Sequence, residues 1–149
     1  MNKISEFSDF SEDIVIPTME ECAKFSEEVL APINAIGDQQ GATIDNGVVK
    51  MPQEFVDAYK KFAEAGWASI SLPEEIGGGG QPITLSGGTL EILSTANLAF
   101  GLAPGLSAGA ISAINFHGSQ EQKDTFLPKL VSGEWTGTMN LSEPQSGSD

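Results

Sequence analysis

The residues of this chain that have the clearest potential for chemistry are 138–149, TMNLSEPQSGSD. A run of apolar residues gives way there to Ser-Glu-Pro and then to Ser-Gly-Ser-Asp. This order is typical of a β-strand that enters a polar loop, where hydroxyl groups can contact a ligand. The segment therefore predicts a ligand-binding loop at residues 142–149.

Four consecutive glycines, Gly77 to Gly80, are a second candidate site. A glycine run leaves the backbone free to adopt positive φ angles, as phosphate-binding loops do. No lysine follows in the P-loop position, however, and no GxGxxG spacing opens a βαβ unit. A flexible or tightly turned connector is the favoured interpretation, and a general nucleotide-binding domain is the weaker alternative.

Histidine and cysteine occur once each, as His117 and Cys22. His117 has no cysteine or second histidine near it, which favours a structural hydrogen-bonding role over a metal ligand or a general base. Cys22 falls on the apolar stripe of a predicted helix, where it is expected to pack as a small hydrophobic residue. A single cysteine allows no internal disulfide and no cysteine-cluster metal site.

Helices must position these groups, because apolar residues recur along most of the chain at three- and four-residue spacing. This spacing predicts a helix over residues 18–33, with Thr18 and Glu21 as a capping box at its start. Its buried stripe is expected to be Met19, Cys22, Ser26, Val29, Leu30 and Ile33. Residues 37–50 favour a loop that turns at Asn46-Gly47.

The next predicted helix starts at Pro52 as its first residue and ends before Gly66, with Phe55, Tyr59 and Phe62 on the buried face. Two almost uncharged helices follow at residues 86–100 and 104–116, separated by a break at Gly101–Pro104. The small residues between 99 and 109 favour close helix packing, or leave room for a ligand tail.

Ser119 and Gln122 form a second capping box, which predicts a helix to about Val131 that Gly133 closes. From Trp135 the sequence WTGTMNL alternates and is rich in strand formers, which predicts the one strand of the chain. Helices followed by a strand indicate a mainly α fold, in which a helical domain leads into the first strand of a β-domain.

Composition limits the classes of partner. The chain of 149 residues has 7 Lys+Arg and 21 Asp+Glu, for a net charge of −14, so a nucleic-acid partner is not expected. The acidic start of the sequence does not fit a signal peptide, which favours a cytoplasmic protein. Residues 92–120 carry no charged side chain, but Pro104 and several glycines favour buried helices over a membrane span.

Four collinear segments carry a resemblance to a known family. They are FSEEVLAPI at 25–33, AEAGWASISLPEEIGGGG at 63–80, HGSQEQKDTFLPKLVSGEWTG at 117–137 and MNLSEPQSGSD at 139–149. Together they resemble the amino-terminal region of flavin-dependent acyl-CoA dehydrogenases. Within that family, SGEWTGTMNLSEP and NLAFGLAPGLSAGAI are most similar to the branch that includes 3-methylmercaptopropionyl-CoA dehydrogenase.

The resemblance implies a helical domain at residues 1–134 and the truncated start of a middle β-domain at 135–149. A carboxy-terminal four-helix domain would follow in the family, with FAD held between the last two domains and between the subunits of a homo-oligomer. The family's reaction removes the α-proton of an acyl-CoA thioester with a glutamate base, while a hydride leaves the β-carbon for the flavin. An electron-transferring flavoprotein then usually reoxidises the flavin.

The resemblance also assigns roles to residues of this chain. Met139, Asn140, Leu141 and Ser142 match the strand and turn that meet the flavin ring, with Ser142 in place of a more frequent threonine. Ser148 matches the serine near the FAD pyrophosphate and the CoA arm, so it is assigned to both cofactor and substrate. Residues 98–113 match the helices around the acyl tail, and the expected contacts are Leu98, Phe100, Leu102 and Leu106. Gln145 and Ser146 stand where glycine or alanine is frequent in the family.

The sequence thus predicts the amino-terminal part of an FAD-dependent oxidoreductase of fatty acid metabolism. The family's catalytic glutamate lies beyond this chain, so no residue is assigned a catalytic role and the fragment alone is expected to be inactive. No metal site is predicted. The alternative is a non-catalytic helical module that binds an acyl chain or a partner protein, for which the uncharged helices at 86–116 are the support.

Overall fold

The computed structural model describes residues 10–147, which form a mainly helical fold. The helices are α1 (Glu12–Phe25), α2 (Asn34–Gln40), α3 (Gln53–Glu64), α4 (Ile83–Ala96), α5 (Leu98–His117) and α6 (Gln120–Val131). The strands are β1 (Thr43–Asp45) and β2 (Val48–Lys50), which pair as an antiparallel hairpin. The mainly α prediction is confirmed.

The first helix begins six residues earlier than the sequence pattern indicated. Thr18 lies inside α1, and its Oγ1 donates to the carbonyl of Ile14 at 2.7 Å, so the predicted capping box with Glu21 is wrong. A threonine hydroxyl can satisfy a carbonyl one turn back within a helix, and the motif alone does not distinguish this use from a cap. The predicted stripe is largely confirmed, since Cys22, Ser26, Leu30 and Ile33 are all buried.

The end of this helix changes its hydrogen-bond pattern. A π turn at Ser26–Leu30 and a 3₁₀ turn at Ala31–Ile33 separate α1 from α2. Pro32 lies in the 3₁₀ turn and has no N–H to donate, so a regular α-helical ladder cannot continue through it.

The predicted loop at residues 37–50 instead contains the end of α2 and the hairpin, so that prediction is wrong apart from its turn. Asn46 and Gly47 have φ angles of 51° and 80°, as a two-residue hairpin turn requires. The two strands are stabilised by the hydrogen bonds between β1 and β2. Residue propensities in this polar stretch did not predict the strands.

The third helix agrees closely with the prediction. Phe55, Ala58 and Phe62 are buried on one face, and Gly66 follows the helix end with a φ of 77°. The helix begins at Gln53, one residue later than predicted, and Pro52 is its N-cap residue, with an extended ψ of 139°.

Helices α4 and α5 meet at Asn97, so the predicted break at Gly101–Pro104 is wrong and Pro104 lies inside α5. Asn97 is extended, and its Oδ1 accepts a hydrogen bond from the N–H of Phe100 at 3.0 Å. Its Nδ2 donates to the carbonyl of Leu30 at 3.2 Å. A side chain that caps one helix and contacts another is a stronger boundary signal than an isolated proline near a helix start.

The last helix has the predicted capping box, with Ser119 accepting from the N–H of Gln122 and Gln122 accepting from the N–H of Ser119. The predicted strand at 135–141 is not formed. These residues are irregular, and the nearest bridge joins Glu143 to Ser146 within one turn. A strand needs a hydrogen-bonding neighbour, and none lies beside this segment in the described part of the chain.

Two groups of buried residues hold the helices together. The larger one joins α1, α3, α4 and the start of α5 around Phe62 and Phe100, whose rings meet edge to face with centroids 5.5 Å apart. The smaller one joins α5 and α6 through Ile111, Leu127, Leu130 and Val131. This arrangement fixes α5 between the two groups and places one of its faces outward.

Candidate functional site

The outward face of α5 carries several exposed apolar side chains. Leu98, Leu102 and Leu106 recur at four-residue spacing on this face, and the first two are 65% and 61% exposed. Phe116, near the end of the helix, is 75% exposed. Contiguous apolar surface of this kind is typical of an interface or a ligand site. Three of the predicted acyl-contacting residues therefore lie together.

Phe100, the fourth predicted acyl contact, lies elsewhere. It is 5% exposed and packs against Phe62, Phe55 and Tyr59. A residue two positions from Leu98 and Leu102 on a helix lies on a different face from both of them. Its place in the aromatic core is consistent with a packing role, and any ligand contact would use the side that borders the groove described next.

An apolar groove with a volume of about 470 Å³ runs between α3 and the start of α5. Its apolar lining is Met51, Phe55, Val56, Tyr59, Ala99, Phe100 and Ala103, and Lys60 and Glu134 add one charge of each sign. Burial raises the pKa of the Tyr59 hydroxyl. The sequence analysis missed this groove, although Phe55 and Tyr59 were predicted on the apolar stripe of α3. The sequence did not show that α5 covers only part of the apolar stripe of α3 and leaves the rest as the wall of a groove.

The predicted flavin-contacting residues form an accessible segment. Met139 is 62% exposed, and Asn140, Leu141 and Ser142 are exposed as well. Within the described residues, the backbone N–H groups of Met139 to Ser142 make no hydrogen bond to the protein. Ser148, predicted to contact both cofactor and substrate, lies outside the described residues.

The exposed segment offers what a planar hydrogen-bonding ring requires. Its backbone N–H and carbonyl groups are free to pair with polar ring atoms, and the Ser142 hydroxyl can donate or accept. Its apolar side chains, Met139 and Leu141, can cover an aromatic surface. The residues present therefore fit a flavin ring, which is the cofactor contact predicted from the sequence.

The segment lies directly against α5. The N–H of Gly137 donates to the Oγ of Ser107 at 3.0 Å. Position 137 is also close to the carbonyl of Leu106, since a Cβ there would lie 3.5 Å from that oxygen. The segment thus meets α5 at residues 106–110, where it lies against the backbone of Leu106 and beside Ser107 and Ala110.

The glycine run is a tightly turned connector, as predicted. The N–H groups of Gly78, Gly79 and Gly80 donate to the carbonyls of Pro73, Ser69 and Leu72 at 2.9 Å each. These donors are already paired, so they cannot hold a phosphate group without breaking the turn. The structure therefore gives no support to a nucleotide loop at this position.

Cys22 is fully buried, and its thiol donates to the carbonyl of Thr89 at 3.6 Å. Burial raises the pKa of this thiol to about 11, and the nearby Ser26 hydroxyl acts in the opposite direction. A buried, protonated thiol is unreactive, so the predicted packing role is consistent with the structure. His117 is exposed at the end of α5, and the described residues contain no cluster of side chains able to hold a metal ion.

The length and composition of α5 also satisfy the criteria for a membrane span. Within the described residues it is the one helix, of 20 residues, that is long and apolar enough. Only 17% of the apolar window of α5 is buried, so the prediction of buried helices is wrong for this helix, although a single helix of this kind is weak evidence for a membrane span. The absence of a membrane span stays a prediction.

Comparison with known proteins identifies the family to which this arrangement is related. Residues 17–134 match the model described as acyl-CoA dehydrogenase, N-terminal domain. The 3-methylmercaptopropionyl-CoA dehydrogenase of Ruegeria pomeroyi is 42% identical over 146 residues, which are 98% of this chain and 25% of that enzyme. The chain thus spans a quarter of the length of this relative.

Two solved structures share the fold. The butyryl-CoA dehydrogenase of Megasphaera elsdenii has a TM-score of 0.73 at 22% identity, over 92% of this chain and 34% of its own. The acyl-CoA dehydrogenase of Bacillus anthracis, complexed with FAD, has a TM-score of 0.71 at 28% identity, over 95% of this chain and 22% of its own.

Proposed function

This chain belongs to the acyl-CoA dehydrogenase family, whose amino-terminal domain it contains, and from that premise we propose that it is the helical part of an FAD-dependent enzyme that desaturates an acyl-CoA thioester. The observation that carries the proposal is the contact of Gly137 with Ser107, which places the exposed polar segment on the turn of α5 that also carries Leu106. An acyl chain needs the apolar face to which Leu106 belongs, and a flavin ring needs the polar segment.

In this proposal α5 binds the acyl tail. Leu98, Leu102 and Leu106 present an exposed row of side chains about 12 Å long, from eight residues at 1.5 Å each. Burying their exposed area would stabilise bound substrate, since each fully buried leucine contributes roughly 1.5–3 kcal/mol. Phe100 supports the row from behind by fixing α5 to the aromatic core.

The proposed roles of Met139, Asn140, Leu141 and Ser142 are to contact the flavin ring. When bound, FAD would supply the acceptor for the hydride that leaves the β-carbon. The exposed backbone groups and the Ser142 hydroxyl would hold and orient the ring, and Met139 and Leu141 would exclude water from its surface. Ser148 is proposed to contact the pyrophosphate and the CoA arm, where a hydroxyl can donate to phosphate oxygens.

The finer proposals follow from the family. The substrate class is an acyl-CoA, and the partners are an electron-transferring flavoprotein and further copies of the same chain. The protein is proposed to be cytoplasmic and without a membrane span. The chain of 149 residues alone is proposed to be inactive, since no glutamate in it is assigned the role of the α-proton base.

Visible absorbance tests the proposal. The coding sequence is continued past Asp149, and the longer product is purified and titrated with acyl-CoAs of different lengths. A bound flavin spectrum that bleaches on addition of acyl-CoA is the expected result, while the chain ending at Asp149 should bleach no added FAD. A longer product that is colourless and inert with added FAD would overturn the proposal.

A second candidate is a non-catalytic module that binds an acyl chain or a partner protein, and the exposed leucines of α5 favour it. It predicts that the chain ending at Asp149 binds an acyl-CoA without FAD. Isothermal titration with Leu102→Asp as the variant, and Thr95→Asp on the exposed face of α4 as the matched control, distinguishes specific binding from general adhesion. Loss of binding in Leu102→Asp alone would support the module.

A further inference from the structure

One buried contact ties the polar segment to the apolar helix. Ser107 is 6% exposed, and its Oγ donates to the carbonyl of Ala103 at 3.0 Å while it accepts from the N–H of Gly137 at 3.0 Å. The two partners of the second bond are 30 residues apart in sequence. The hydroxyl therefore directs its proton to its own helix and one lone pair to the segment.

The backbone of residue 137 lies so close to α5 that position 137 has no room for a side chain. A Cβ there would lie 2.5 Å from the Cβ of Ala110 and 3.2 Å from the Cα of Ser107. The first distance is well inside van der Waals contact, so the backbone of residue 137 lies directly on the surface of α5. Gly137 is thus required for close approach, and Ser107 supplies the hydrogen bond that approach makes available.

The contact anchors an otherwise free piece of chain. Upstream, the N–H of Trp135 donates to the carbonyl of Lys129 at 2.9 Å. Downstream, the next backbone bonds join Glu143 to Ser146 within their own turn. Within the described residues from 136 to 142, the bond from Gly137 is the one that reaches a helix. Met139 follows two residues later, at most about 7 Å away.

We propose that Ser107 and Gly137 are positioning residues that hold the Met139–Ser142 segment in register with the acyl-binding face of α5. This inference rests on the proposed function, because the register matters only if a flavin and an acyl chain bind on the two sides of the contact. Ser107 follows Leu106 directly in the helix, so the segment and the row of exposed leucines share one turn of α5, on faces about 100° apart. A shift of the segment would move the flavin relative to the acyl chain, and geometric errors of about 1 Å can cost 100-fold in rate.

The first test uses the chain ending at Asp149 and requires no cofactor. Amide hydrogen exchange is measured for Ser107→Ala, with Ser112→Ala, an exposed serine on the same helix, as the matched control. Loss of the bond should speed exchange at Gly137 about tenfold, since such a bond changes an equilibrium by roughly 2- to 12-fold. Exchange at Phe62 in the core should not change. Equal rates at Gly137 in both variants would overturn the inference.

A steric cycle tests the same contact from the other partner. Gly137→Ala should speed exchange across residues 137–142, because the new methyl group meets Ala110. Adding Ala110→Gly removes the Cβ that the new methyl group would meet, so the double variant should recover part of the slow amide exchange at residues 137–142. A Gly137→Ala chain that keeps the original exchange rates would show that the segment does not lie against α5, and would overturn the proposed register.

The final test separates this inference from the proposed function. In the product of the longer coding sequence, Ser107→Ala should weaken FAD binding at least fivefold, and Ser107→Thr, which keeps the hydroxyl, should recover most of it. FAD binding that is unchanged in Ser107→Ala would overturn the inference and leave the proposed function intact. A longer wild-type product that binds no FAD would overturn the proposed function itself.

Discussion

Asn97 is the residue whose replacement tests the helical architecture most directly. It is 1% exposed at the junction of α4 and α5, and its side chain makes two hydrogen bonds. Its Oδ1 accepts from the N–H of Phe100 at 3.0 Å, and its Nδ2 donates to the carbonyl of Leu30 at 3.2 Å. Asn97→Ala removes both bonds, so α5 loses its cap and the π turn of the first helix loses its contact with α5.

The expected loss follows from the two bonds separately. Removal of an asparagine cap costs about 1 kcal/mol. Removal of a donor from a buried carbonyl costs about 1–3 kcal/mol, and Leu30 is fully buried. The free energy of unfolding should therefore fall by about 3 kcal/mol, from a total of roughly 5–15 kcal/mol for a domain.

Ser119→Ala provides the matched control, because Ser119 caps α6 at the surface and its side-chain hydrogen bond stays within that cap. It should cost about 1 kcal/mol. The difference between the two losses in free energy of unfolding is the contribution of the hydrogen bond from Asn97 to Leu30. Urea unfolding followed by circular dichroism at 222 nm measures both, and the thermal midpoint should fall by about 9 °C for Asn97→Ala and about 3 °C for Ser119→Ala.

Equal losses in these two variants, within about 0.5 kcal/mol, would refute the assignment of Asn97 as a link between helices. Asn97→Asp adds a second check, since aspartate keeps the capping oxygen but has no donor for Leu30 and buries a carboxylate. It should be at least as unstable as Asn97→Ala at neutral pH. A stable Asn97→Asp chain would show that the Leu30 contact has little weight.

Further predictions concern glycines, the thiol and the apolar face. Gly87 lies in α4 with open space around it, so Gly87→Ala should raise the free energy of unfolding by up to about 1 kcal/mol. A Cβ at position 78 would lie 2.1 Å from the carbonyl oxygen of Leu72, so Gly78→Ala should lower it by roughly 1–3 kcal/mol. Urea unfolding measures both changes. Cys22 should react with a thiol reagent only after unfolding at pH 8. Because its pKa is raised from 9.0 to about 11, its contribution to stability should be complete below pH 9 and lost as pH rises through 11, which alkaline unfolding curves of wild type and Cys22→Ala would check. Leu102→Glu should reduce self-association in sedimentation without changing the thermal midpoint, and an unchanged oligomer would contradict an apolar interface on α5.

Elements specified by local chemistry could be predicted from the sequence. The capping box of Ser119 and Gln122, the end of α3 at Gly66 and the turn at Asn46-Gly47 depend on residues within a few positions of one another. The resemblance of collinear segments to the acyl-CoA dehydrogenases was likewise confirmed, because four motifs in one order are specific even when each is weak alone.

Elements that depend on distant residues were predicted less well. The boundary between α4 and α5 was placed near Pro104, but Asn97 sets it through a bond to Leu30, 67 residues away. The strand predicted at 135–141 has the right composition but no neighbouring strand among the described residues, so its backbone forms no strand hydrogen bonds.

The same division applies to the candidate site. The sequence by itself determined which residues are apolar on α5 and which polar residues follow residue 137. Only the tertiary structure decided that Phe100 faces the aromatic core while Leu98 and Leu102 face outward, because helix packing selects one face from a helix that is apolar all round. It also decided that Gly137 lies on Ser107, since a contact across 30 residues depends on the fold and leaves no local pattern in the sequence.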